Sequence, residues 1–248
     1  MWLLLGVVLA GEVPAEMAQV PGGTYAPLYA ADPEQPTVTV GPFLLDRRPV
    51  SKADYQAFVI ANPRWRRDRI KALFADERYL QDWAGPLDHG GRDNQPAVRV
   101  SWFAARAYCA AQGKRLPTED EWEVAAGAST TAADGRGDPA RSAEILKWYL
   151  EPASDERVIG ERAPNVFGIH DLHGLSWEWV EDFNNTLYGA DNREGGDDDT
   201  LRFCGAGVLS AADAEDYATF ARVAFRTSLQ ATYTTASLGF RCARDVEP

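Results

Sequence analysis

Apolar residues recur at helical spacing in only a few short stretches of this chain, and between them Gly, Pro and aromatic residues set an irregular rhythm. The spacing predicts a helix over residues 51–60, with Tyr55, Phe58 and Val59 on one face, Ser51 as its cap and Asn62-Pro63 as its stop. A second helix is expected from Trp102 to Gln112, capped by Ser101 and ended by Gly113. Thr118 with Glu121 three positions on spells a capping box, so a third runs from Glu119 to Ala126. Residues 127–163 read as a long surface excursion rich in Ala, Asp, Gly and Arg, broken by one short helix over 140–149. Strand signals are brief: a turn entering a strand at 20–25, and the runs 37–40 and 97–100. Strand and helix do not alternate as a parallel sheet requires, and the pattern describes an α+β domain.

With 248 residues, 45% of them hydrophobic, the chain can bury one sizeable core. Residues 1–10 form a short apolar run followed by small-residue cleavage candidates at Ala10 and Ala15. Residues 1–15 therefore read as a secretory signal and 16–248 as a single domain, although the missing Lys or Arg at the start leaves a buried N-terminal strand as the other reading. The run is too short for a membrane span of about 20 residues, and no later run reaches that length, so no transmembrane segment is expected in the mature chain. A formal charge of −12 argues against a nucleic-acid partner. The basic run from Arg64 to Lys71 reads as a solvated helix face. Three cysteines, none in a Cys-x-x-Cys arrangement, are too few for a disulfide scaffold.

The segment from Pro96 to Glu123 resembles the formylglycine-generating enzyme (sulfatase-modifying factor) family. Further stretches agree in order: Val20-Pro-Gly-Gly-Thr24, Pro42-Phe43 with Val50-Ser51 and Tyr55, Asn165-Val-Phe-Gly168 with Asp171 and Gly174, Trp177-Glu-Trp179 with Asp182, and Gly239-Phe-Arg-Cys242. The resemblance implies a compact α+β fold related to C-type lectins, with little regular secondary structure, in an exported or lumenal protein. It also implies two cysteines that hold copper(I) and oxidise a substrate cysteine to formylglycine with oxygen. Those two positions fall here on Ser210 and Glu215, and neither can be a thiolate. Hydroxyl and carboxylate are poor copper(I) ligands, so the family's oxidase chemistry is not expected. A second family disulfide would need cysteines at Ala126 and Val223, and Leu175 replaces a calcium-site Asn, which argues against calcium. By resemblance Cys109 and Cys242 form the retained disulfide, which leaves Cys204 as the odd thiol.

The candidate chemistry that remains is a set of local groupings. His170 and His173, with Cys204, offer imidazole and thiolate donors suited to copper or zinc. The competing reading makes His170 a loop residue, His173 a partner of a backbone carbonyl and Cys204 a small buried hydrophobe. Trp177, Glu178, Trp179, Asp182 and Arg226 are cleft candidates, set against core packing around a satisfied carboxylate; Arg241 reads as part of a buried network. The acidic loop 194–199 lacks the alternating ligand spacing of a calcium loop. Asp213, Glu215, Asp216 and Tyr217 either line the old cleft or form a plain surface helix.

The expected function is an exported accessory or maturation factor for another exported protein or peptide client, a copper protein among the candidates. The His-Asp-Leu-His-Gly-Leu-x-Trp-Glu-Trp form of the motif resembles family members encoded beside copper nitrite reductases and other periplasmic metalloenzymes. A copper- or zinc-binding oxidase or metallochaperone using Cys204, His170 and His173 is one alternative, and a lectin-like protein-binding module is another.

Overall fold

The computed structural model describes residues 13–28, 34–151, 157–184 and 214–246, with residues 214–216 described as helix backbone only. In chain order the elements are β1 (Met17–Val20), β2 (Gly23–Tyr25), β3 (Val38–Val40), β4 (Phe43–Asp46), α1 (Lys52–Ala61), α2 (Trp102–Ala111), α3 (Glu119–Gly127), α4 (Pro139–Leu150), β5 (Trp177–Glu178), α5 (Ala214–Thr227), β6 (Leu238–Gly239) and β7 (Ala243–Asp245). This is the α+β architecture expected from the sequence.

The main sheet is antiparallel in the order β1-β4-β7, with Leu45 opposite Ala18 on one side and Ala243 on the other. As its central strand, β4 is buried on both faces, which explains the unbroken Phe-Leu-Leu run where alternation would mark a half-exposed strand. Asp46 ends that strand inside the protein, where its carboxylate accepts from Lys114 Nζ at 2.7 Å and from the Cys242 amide at 3.1 Å. The pair β2-β3 is antiparallel, and β5-β6 is a two-residue parallel pair.

The helix starts follow their caps. Ser51 and Ser101 accept from the amides of Asp54 and Ala104, and Thr118 and Glu121 make both bonds of the capping box, at 3.1 and 2.9 Å. Behind these helices lies an aromatic core in which Tyr55 packs on Phe58, Trp83, Tyr108 and Phe240. Cys109 in α2 is bonded to Cys242 beside β7, closing a separation of 133 residues.

Three expectations need correction. Residues 97–100 form no strand, although Ala97 and Val100 are buried, because Arg99 adopts φ 55° and the backbone turns, sending the Ala97 amide to Val50 and the Arg99 amide to Thr235. The basic run is no helix face: a 3-10 turn over Pro63–Trp65 gives way to turns, with Arg66 held by Asp68. The 127–163 region is only partly a surface excursion, since α4 buries Ser142 and Ile145 and packs along α5. No helix of the described residues is long and apolar enough to cross a membrane.

Candidate functional site

Two spacings of four residues build the polar heart of the molecule. Glu119 and Glu123 lie one turn apart on α3, Arg222 and Arg226 one turn apart on α5, so each helix offers a pair of like charges on one face. The faces meet. Arg222 grips Glu123 with Nε and Nη2 at 3.0 and 2.8 Å, and Arg226 Nη1 bridges Glu123 at 2.8 Å and Glu119 at 3.0 Å. Burial alone would push the Glu123 carboxyl up; the two guanidinium groups outweigh it and hold it at about 2. Glu119, which touches only Arg226 of the two, goes the other way: burial leaves its carboxyl above the ordinary value. Asp182 accepts from the Glu119 amide at 2.7 Å, a carboxylate at the positive end of α3.

His173 closes this network on the side of α4. Its Nε2 faces the Ala126 carbonyl at 3.0 Å and its Nδ1 faces the Tyr149 hydroxyl at 3.0 Å. A carbonyl only accepts, so Nε2 carries the proton and Nδ1 takes the hydrogen bond from Tyr149. Burial first, and the Arg222 charge next, hold the imidazole down at about 3, so the ring is neutral at physiological pH. Tyr149 also lies 3.4 Å from Arg222 Nη1.

Glu178 and Trp179 serve the core. Glu178 is buried, bound by both Nε and Nη2 of Arg241 at 2.8 Å and by the Trp122 indole N–H at 2.8 Å. Trp179 is fully buried and donates to the Val100 carbonyl at 2.8 Å. Trp177 is half-buried and enters an aromatic wall, 4.7 Å from Tyr149 and 4.7 Å from Phe225 between ring centroids. The wall borders a cavity of about 240 Å³, lined also by Trp122, Trp148 and Arg226. Gly174 helps to shape it, because at φ 86° a side chain would be strained and its Cβ would collide with Arg162 and the Trp148 ring.

The sequence candidates therefore divide. Trp177, Glu178 and Arg226 reach the cavity wall, with Trp179 and Asp182 behind it in the packing and the helix cap. His170 and His173 point to separate partners, His170 donating from Nδ1 to the Arg162 carbonyl at 3.0 Å. Both nitrogens of His173 are engaged, which leaves no lone pair for a metal while those bonds stand. Among the described residues no group of three His, Cys, Asp or Glu could hold a metal ion. Cys204, Ser210, Asp213 and the acidic loop lie outside the described residues, as do the side chains of Glu215 and Asp216. Tyr217 is exposed near the start of α5. Sequence reasoning passed over Glu123, Arg222, Tyr149 and Phe225; the matching four-residue spacings of opposite charge on two helices were the available signal.

Fold and motifs together define a sulfatase-modifying-factor type of domain. The chain belongs to the sulfatase-modifying factor enzyme 1-like domain family, whose profile matches residues 9–246. It is 30% identical to the inactive C-alpha-formylglycine-generating enzyme 2 of Bos taurus, across 98% of this chain and 91% of that protein. It is also 30% identical to the formylglycine-generating enzyme of Thermomonospora curvata, across 94% of this chain and 95% of that one. Among solved structures, CarF shares the fold, with a TM-score of 0.50 at 18% identity over 94% of this chain and 99% of CarF.

Proposed function

We propose that this chain is an exported accessory or maturation factor that uses the family fold to engage another exported protein or peptide, without the family's oxidation of cysteine. The observation that carries the reading is the bond between Cys109 and Cys242. The chain has three cysteines, and with two in that bond one remains, Cys204. One thiol cannot make a two-thiolate copper(I) site, and the residues at the two family positions, Ser210 and Glu215, offer a hydroxyl and a hard carboxylate. The family's copper therefore does not fit the residues present.

The aromatic cavity supports engagement of a client, since concave, largely apolar sites with a few placed polar groups are where ligands bind. A shared copper or zinc site on Cys204, His170 and His173 is less well supported, because His173 would have to give up both of its hydrogen bonds.

The test is genetic. In the native source, removal of this chain is expected to leave one exported protein present in normal amount but lacking its metal or its modified group, as read by mass spectrometry. The chain and its Cys204→Ala variant should both restore it. No change in any exported protein, or rescue that needs the Cys204 thiol, would overturn the reading.

A further inference from the structure

The cavity beside Trp177 has charged residues on its wall, and among the described residues each of them is paired with an opposite charge. Arg157 pairs with Glu151 at 3.3 Å, Glu178 with Arg241 at 2.8 Å, and Arg226 with Glu119 and Glu123. A charged guest would lose its hydration and find only partners already spent, a poor exchange for an ion. What the wall offers instead is ring surface, from Trp122, Trp148, Tyr149, Trp177 and Phe225. The contacts of Tyr149 and Phe225 with Trp177 brace it, so binding there orders little that is not already ordered.

Size and one polar atom narrow the guest further. A dry cavity of about 150 Å³ accepts benzene, so about 240 Å³ suits one ring with a substituent or two fused rings. Ser176 lines the cavity, and its hydroxyl is buried with no hydrogen-bond partner. An unsatisfied hydroxyl costs about 1–3 kcal/mol; the oxygen is buried beside Gly239, and a change of rotamer about the Cα–Cβ bond is the movement that would bring it to a group on a guest.

We propose that the cavity binds a neutral aromatic ring carrying one hydrogen-bonding group, a phenol or an indole, with Ser176 reading that group. The ring arrives either on a client, as a Tyr or Trp side chain, or as a free small molecule; only the first source rests on the function proposed above.

Calorimetric titration of the full chain tests this with p-cresol and indole against cyclohexanol, benzoate and benzylamine. The aromatic neutral pair should bind at least about tenfold more tightly than the other three. Ser176→Ala should weaken p-cresol about three- to tenfold and leave toluene unchanged. Trp177→Leu should weaken every ring; should that variant not fold, Ser176→Ala carries the test alone. Equal or tighter binding of cyclohexanol or of either ion, no binding of any ring, or a Ser176→Ala variant indistinguishable from the parent on p-cresol overturns the proposal. An end-capped Gly-Ser peptide with a single Tyr separates the sources. If it binds as p-cresol does, the client is the source; if only the free ring binds, the ring site stands and the client-binding function loses its support.

Discussion

Glu123 and Arg222 are joined face to face by two hydrogen bonds, at 3.0 and 2.8 Å, in the interior between α3 and α5, although 99 residues separate them in sequence. Arg222 is buried against this carboxylate, and Glu123 against Arg222 together with Arg226, which bonds it at 2.8 Å. Removing one partner from such a pair costs about 3–5 kcal/mol, whereas replacing both with well-packed neutral groups can cost little. Glu123→Gln is therefore expected to destabilise the protein by about that amount. The double variant Glu123→Gln/Arg222→Met should lose clearly less than the sum of the two single losses, as measured by denaturant unfolding. Additive losses would mean that the two side chains are not coupled.

The disulfide has a count attached to it. In denaturant without reductant, a thiol titration should find one free thiol per chain, from three cysteines less the two in the bond, and three after reduction. Replacing Cys109 and Cys242 with Ala should cost about 4–5 kcal/mol by loop entropy for a closure of 133 residues. Three free thiols before reduction would remove both the bond and the argument built on it.

Acid should weaken this fold through His173. Its folded pKa of about 3 lies below the ordinary 6.5, so between those values the unfolded chain binds a proton that the folded chain refuses. Stability from this group is complete above pH 6.5 and declines as the pH falls toward 3, by up to about 1.4 kcal/mol per unit. Glu123 adds a loss of the same sign lower down, between its ordinary 4.5 and about 2. His173→Gln can keep bonds to Ala126 and Tyr149 without titrating, so its melting temperature should fall less between pH 7 and pH 5 than that of the parent chain. Equal falls would show that His173 is not the group responsible.

The same variant separates the two readings of the histidines. Zinc and copper(II) affinities of the full chain should be unchanged in His173→Gln. A loss of about tenfold or more would make His173 a metal ligand after all.

Much of the frame was legible before any coordinates. Ser51, Ser101 and the Thr118–Glu121 box marked three helix starts because capping is a local matter of one hydroxyl and the amides that follow it. Residues 97–100 misled for the converse reason: Val-Arg-Val has the composition of a strand, but long-range bonds to Val50 and Thr235 pull Arg99 into a left-handed conformation that no local rule anticipates. The site was half visible. Trp177, Glu178 and Arg226 stood out by residue type, whereas Tyr149 was only the end of a short predicted helix and Phe225 carried no local signal until α4 and α5 set their rings against Trp177. Which carboxylate meets which guanidinium is a property of the packed fold, and helical spacing alone cannot say it.

The central claim, that this family fold has lost the two-thiol oxidation, is tested most directly by offering the full chain a cysteine-containing peptide with copper(I) and oxygen and examining the peptide by mass spectrometry. The expected result is a peptide recovered as thiol or disulfide, with no formylglycine aldehyde. Aldehyde formed by the parent chain and abolished in Cys204→Ala would contradict the account.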